Sequence, residues 1–184
     1  MLDTLQLSLL PTSVRQQLGD YLLIQYLGGG ASTTVYLAEH RHLDKQVAVK
    51  VFRPHSEDNH LQVIWAEAHL AARLVHPNIV SVLDFSLVDT VPFPVMKYVP
   101  HGTLRAKYET GYVLPPGLIC QYVRQIASAL QYMHDHGFVH QDGKLESLLL
   151  GYEQQVLLSD FGISIAIHTV QEQNKMRPTG TLPI

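Results

Sequence analysis

The stretch that decides the fold runs from residue 138 to residue 162 and reads FVHQDGKLESLLLGYEQQVLLSDFG. It contains two aspartates, Asp142 and Asp160, which lie 18 positions apart. Between them, two short apolar runs at residues 148–150 and 155–159 predict a small hairpin of two strands. Either aspartate alone would be an ordinary loop residue. Two of them flanking a short apolar hairpin form a rarer pattern, which indicates a functional site.

Working outward from this stretch, a long helix is predicted at residues 117–136. Its apolar residues, among them Ile119, Val123, Ile126 and Leu130, recur at intervals of three and four, as on one face of a helix. Gly137 follows at the position where a glycine often ends a helix. The first hundred residues instead predict strands, at residues 21–27, 34–39, 46–52, 79–85 and 93–99.

Two features of the strand-rich part indicate phosphate chemistry. Gly28, Gly29 and Gly30 lie between the first two predicted strands, where glycine lets backbone amides approach a phosphate chain, although a plain flexible turn is the other interpretation. A strand follows these glycines, which argues against a dinucleotide-binding fold, because that fold needs a helix there. Lys50 ends a valine-rich strand, either as a solvated edge residue or as a cation directed at phosphate.

Glu67 favours the second interpretation of Lys50. It lies on the apolar stripe of a second predicted helix at residues 61–75, between Ile64 and Ala71. A carboxylate that faces a core is costly unless it is paired, and Lys50 is the obvious partner. The alternative is a glutamate at the edge of the stripe that turns to solvent.

Composition sets the outer limits. The chain has 184 residues, of which 46% are hydrophobic, a formal net charge of −3 and one cysteine. These values indicate one domain with a real core, no general nucleic-acid or anionic-membrane binding, and no disulfide within the chain. No apolar run approaches the roughly 20 residues of a membrane helix. We therefore expect a cytoplasmic protein, with residues 1–20 as a leader outside the core.

Together these motifs resemble a protein kinase of the bacterial serine/threonine type. The resemblance runs from about residue 21 to residue 184. The resemblance implies an α+β fold. Residues 21–99 would form a small antiparallel sheet with one long helix, the N-lobe. Residues 100–184 would form part of the helical C-lobe, with the catalytic loop and the start of the activation segment. Because kinases continue for roughly 80 further residues, we expect this C-lobe to be incomplete.

The resemblance also implies roles for individual residues. The residues implied around ATP are Leu27, Gly28, Gly30, Val35, Ala48, Met96 and Val99. Lys50, held by Glu67, would contact the α- and β-phosphates. Asp142 would accept the proton of the substrate hydroxyl, and Lys144 would steady the γ-phosphate. Asp160 would bind Mg²⁺, and Ser147 stands at the second metal position.

The implied activity is transfer of the ATP γ-phosphate to serine or threonine hydroxyls of a protein substrate. Lys144, two residues after Asp142, is the pattern of serine/threonine kinases. Two departures support an alternative, a pseudokinase or truncated nucleotide-binding module with little or no phosphotransfer. Gln141 replaces the arginine that receives an activating phosphate, and Ser147 replaces the asparagine that holds a second Mg²⁺. The sequence sets neither the substrate nor the oligomeric state.

Overall fold

The computed structural model describes residues 13–30, 33–52, 72–88, 91–140, 142–160 and 165–166. Within these ranges the chain forms a strand-rich part followed by a part built around one long helix. The strands are β1 (Ser13–Leu18), β2 (Tyr21–Gly29), β3 (Thr33–His40), β4 (Lys45–Phe52), β5 (Val82–Val88), β6 (Val91–Lys97), β7 (Phe138–Val139), β8 (Leu148–Leu150), β9 (Val156–Leu158) and β10 (Ile165–Ala166). The helices are α1 (Leu104–Lys107) and α2 (Pro116–Asp135), and a 3₁₀ turn covers Leu145–Ser147.

The first six strands form one antiparallel sheet in the order β1-β2-β3-β4-β6-β5. One face of this sheet carries its own core, which includes Tyr36, Val49 and Phe93. Tyr36 lies directly opposite Val49 across the β3–β4 pair, so the two side chains share that face. This core fixes the register of the sheet, because a slip of one residue would expose it.

The opposite face of the sheet looks toward the helical part. Val35 lies opposite Lys50, Leu37 lies opposite Ala48, and Ala48 in turn lies opposite Met96. Met96 packs against a small buried cluster of Val80, Val99 and Leu157, together with the partly buried Leu149. This cluster therefore joins the sheet to the β8–β9 hairpin, on the side where the candidate site lies.

The long helix α2 is the centre of the second core. Tyr122, Ala129 and Met133 are its buried residues, and they pack with residues of the β8–β9 hairpin such as Leu150 and Val156. Gly137 follows the helix with a φ of +82°, which confirms it as the glycine after the helix end. Among the described residues, no helix is long and apolar enough to span a membrane.

Polar side chains anchor α2 to the segment before β5 and to the hairpin. The Gln125 side-chain oxygen accepts hydrogen bonds from Asn78 Nδ2 at 2.7 Å and from the backbone N–H of Val156 at 2.8 Å. Gln125 Nε2 donates to the carbonyl of Gln154 at 3.0 Å, and Asn78 Nδ2 also donates to the carbonyl of Val156 at 2.8 Å. One glutamine thus joins three segments that are distant in sequence.

The predicted α+β fold with a small antiparallel sheet is confirmed, but three sequence-based boundaries are wrong. Ser13–Leu18, predicted as part of a leader outside the core, forms the edge strand β1, and Leu18 is only 4% exposed in the sheet core. Residues 72–75, the predicted end of the helix at 61–75, are not helical, and the rest of that helix lies outside the described residues. Strands β5 and β6 are shifted from their predicted bounds by two to three residues.

Candidate active site

The loop between β7 and the 3₁₀ turn brings a carboxylate and an ammonium group together. Lys144 Nζ donates a hydrogen bond to Asp142 Oδ2 at 2.6 Å, and both side chains are partly open to solvent. This hydrogen bond raises the pKa of Lys144 above its ordinary value. The loop therefore presents a base and a fixed positive charge side by side.

The backbone of this loop is held by buried serines. Ser147 Oγ donates to the carbonyl of Asp142 at 3.1 Å, and the Ser147 carbonyl accepts from the Ser159 N–H at 2.8 Å and from Ser159 Oγ at 3.1 Å. His140 Nε2 donates to the carbonyl of Ser159 at 2.8 Å. Because Ser159 directly precedes Asp160, these bonds fix the spacing of the two aspartate-bearing segments.

Lys50 reaches from the sheet to Asp160. Its Nζ lies 3.5 Å from Asp160 Oδ1, and the lysine side chain is 11% exposed against 41% for the aspartate. Asp160 has a φ of +63°, a left-handed conformation that is uncommon for residues other than glycine and is often found at functional sites. The predicted partner Glu67 lies outside the described residues, so its pairing with Lys50 stays a prediction.

The glycine turn lies at one end of the same sheet face. Gly28 is opposite Val35, and Val35 is opposite Lys50 on the next strand. A Cβ built on Gly28 or Gly30 would meet no atom within 4 Å, whereas one built on Gly29 would lie 2.6 Å from the carbonyl oxygen of Thr33. The turn thus has open space beside Gly28 and Gly30, whereas no larger residue fits at Gly29 without a backbone shift. The sequence pattern did not single out Gly29.

The family model described as protein kinase domain matches residues 21–182, which is most of the chain. The chain belongs to the protein kinase family. It is similar to serine/threonine-protein kinase PrkC of Bacillus subtilis, with 35% identity over 151 residues, 81% of this chain and 23% of that protein. It is also similar to serine/threonine-protein kinase PknD of Mycobacterium tuberculosis, with 35% identity over 155 residues, 83% of this chain and 23% of that protein.

A third relative is serine/threonine-protein kinase PknB of Mycobacterium leprae, with 35% identity over 161 residues, 84% of this chain and 25% of that protein. The chain therefore spans about a quarter of the length of the curated relatives it matches. The matched range includes the sheet from β2 onward, the loop of Asp142 and the segment of Asp160, so the described part of the candidate site lies within the region that is similar to kinases.

Kinases of this family use ATP and Mg²⁺, and the residues at this site fit both. A nearly buried lysine and a half-exposed carboxylate meet at 3.5 Å, which suits a phosphate group and its metal ion respectively. The open sides of Gly28 and Gly30 leave space beside this pair. The predicted metal role of Ser147 stays a prediction, and its hydroxyl proton is donated to the Asp142 carbonyl.

Leu149 and Leu157 pack in the cluster of Met96, a predicted site residue, but neither of them was itself predicted from the sequence. Both belong to the cluster that packs with Met96, opposite the sheet face that carries Ala48. The candidate site is therefore bordered by apolar side chains of both the sheet and the hairpin. A signal was present in the run Leu148–Leu150, because alternation in a strand turns its middle residue away from the other two. Of the remaining predicted positions, Gln141 lies outside the described residues.

Proposed function

We propose that this chain carries the ATP-binding and catalytic residues of a serine/threonine protein kinase, and that it transfers the ATP γ-phosphate to a protein hydroxyl. The contact between Lys50 and Asp160 carries the proposal, because it joins the sheet face to the segment after β9, which Ser159 in turn connects to the loop of Asp142 through Ser147. The names of the relatives, all serine/threonine-protein kinases, support the same reaction.

The apolar part of the site suits adenine. Ala48 and Met96 lie opposite each other on neighbouring strands of the sheet face, and Leu149 of the hairpin packs in the same cluster as Met96. An adenine ring between Ala48 and Leu149 would bury its two faces against apolar side chains. Val99, at the end of this wall, is buried in the same cluster, and its backbone is the proposed hydrogen-bonding partner of the ring edge.

The polar part of the site suits the phosphate chain. Lys50 presents its ammonium group from a nearly buried stem, so a phosphate there would meet a cation that is poorly screened by water. Gly28 and Gly30 leave space for phosphate oxygens beside the lysine. Mg²⁺ bound at Asp160 would neutralise the charge that develops on the transferred group.

Asp142 and Lys144 are proposed to act on the transfer itself. The substrate hydroxyl loses its proton to the Asp142 carboxylate as its oxygen bonds to the γ-phosphorus, and the bond from that phosphorus to the bridging oxygen breaks. Lys144, held by its hydrogen bond to Asp142, would place positive charge beside the transferred group. Because the donor is ATP, we place the reaction in the cytoplasm.

The test is transfer of labelled γ-phosphate to casein by the protein with Mg²⁺. Wild type should label serine and threonine, and Asp142→Asn should lower the rate by roughly 100-fold or more, since general-base catalysis contributes about that much. The matched control is Asp135→Asn, an exposed aspartate at the end of α2, which should leave the rate unchanged. Equal labelling by wild type and Asp142→Asn would refute the proposed reaction.

A further inference from the structure

Ser147 is the residue at this site whose contacts differ most from its predicted role. The resemblance to kinases places it at a second metal position, where the family has asparagine. A metal ligand has to present a lone pair to the space that the ion occupies. Ser147 exposes none of its surface, so its side chain faces protein atoms.

Each hydrogen-bonding group of Ser147 has a partner within the protein. Its N–H donates to the Lys144 carbonyl at 3.0 Å, and its hydroxyl donates to the Asp142 carbonyl at 3.1 Å. Its carbonyl accepts both the N–H and the hydroxyl of Ser159. Because both lone pairs of that carbonyl accept hydrogen bonds, the backbone at Ser147 cannot move toward an ion without breaking one of them.

A serine side chain is also shorter than the asparagine it replaces. An asparagine has two polar atoms, so its N–H₂ group can hold a backbone carbonyl while its oxygen faces a metal ion. The hydroxyl of Ser147 donates its proton to the Asp142 carbonyl, and the lone pairs of its oxygen face protein atoms, because the residue exposes none of its surface. Of the two roles that an asparagine can fill, Ser147 therefore keeps the support of the catalytic loop and lacks the metal contact.

We propose that Ser147 positions the loop that carries Asp142 and does not bind a metal ion, so that the nucleotide site holds a single divalent ion, at Asp160. This proposal replaces the sequence-based expectation of a metal role for Ser147, and it rests on the proposed ATP binding. It gives Ser159 a matching role, because Ser159 connects the Ser147 carbonyl to the segment that carries Asp160.

The test counts metal ions. The protein and the ATP analogue AMP-PNP are mixed at concentrations well above their dissociation constant, with the protein in slight excess, so that nearly all of the nucleotide is bound. Mn²⁺ is then titrated while the resonance of unbound Mn²⁺ is recorded by electron paramagnetic resonance. Wild type and Ser147→Ala should each bind one Mn²⁺ per nucleotide, and Asp160→Asn should bind Mn²⁺ at least tenfold more weakly. Two ions per nucleotide in wild type, whether or not Ser147→Ala loses one, would overturn the proposal.

A kinetic split separates loop support from metal binding. In the casein assay, Ser147→Ala should lower kcat while the KM for Mg·ATP changes by less than about twofold, because the loop and not the nucleotide contact is altered. A raised KM at unchanged kcat would overturn the positioning role. Failure of wild type to bind AMP-PNP would refute the proposed ATP site and this inference together, whereas a wild type that binds but does not turn over leaves the metal count to decide.

Discussion

Replacing Gln125 with alanine should remove a polar anchor of the long helix. The change deletes three hydrogen bonds, at 2.7, 2.8 and 3.0 Å, to Asn78, Val156 and Gln154. Each contributes about 1 kcal/mol net, and the N–H of Val156, a residue only 1% exposed, loses its acceptor. The better helix propensity of alanine returns a few tenths of a kcal/mol. The free energy of unfolding should therefore fall by about 2–3 kcal/mol.

Urea unfolding followed by circular dichroism measures this loss. At an unchanged slope of about 2–3 kcal/mol per molar, the midpoint should fall by about 1 M. The matched control is Gln131→Ala on the same helix, where the glutamine is exposed and donates to the exposed Asp135 at 2.8 Å. That variant should stay within about 0.5 kcal/mol of wild type. Equal losses in the two variants would refute the assignment of Gln125 as an anchor.

Three further changes test separate parts of the site and sheet. Gly29→Ala should lower the free energy of unfolding in urea by about 1–3 kcal/mol, because its Cβ would lie 2.6 Å from a backbone carbonyl oxygen. The control Gly30→Ala should lower it by less than about 1 kcal/mol, because the new Cβ meets no atom within 4 Å. Lys50→Met should weaken ATP binding, measured by calorimetry, roughly tenfold to hundredfold. The control Lys45→Met, at the exposed start of the same strand, should leave the affinity unchanged. Equal ATP affinities of the two variants would count against the phosphate contact. Burial and a hydrogen bond to a neighbouring carboxylate raise the pKa of Tyr21 to about 12, above its unfolded value of 10.0, so stability should fall as pH rises from about 10 to about 12. Tyr21→Phe should remove one component with a midpoint near 12 from the ultraviolet titration of the tyrosines, and loss of a component near 10 would contradict this.

The sequence predicted those parts of the fold where local pattern and tertiary environment agree. The helix α2 and strands β3 and β4 show clear periodicity, and the structure has them within one or two residues of the predicted bounds. Strand β1 was missed because its sequence SVRQQL is mostly polar. Its place in the sheet depends on pairing with β2 and on burial of Leu18, which local pattern does not reveal.

The candidate site, like the fold, was predicted only in part from the sequence. Lys50, Asp142 and Asp160 were predicted from motif and spacing, and the structure places Lys50 against Asp160. The contact partners of Ser147 were not predictable, since they depend on how the 3₁₀ turn packs against Ser159. The spacing of motifs in the sequence predicts which residues take part in the site. Three-dimensional packing decides which atoms of those residues are free to contact a ligand.

The central claim is that ATP binds between the sheet face of Ala48 and the hairpin residue Leu149, with its phosphates at Lys50 and Asp160. The most direct measurement is a crystal structure of the protein with AMP-PNP and Mn²⁺, using the anomalous signal of manganese to locate the ion. We expect adenine between Ala48 and Leu149, a phosphate on Lys50 and a manganese peak at the Asp160 carboxylate. Nucleotide bound elsewhere, or bound there without contact to Lys50 and Asp160, would contradict the claim.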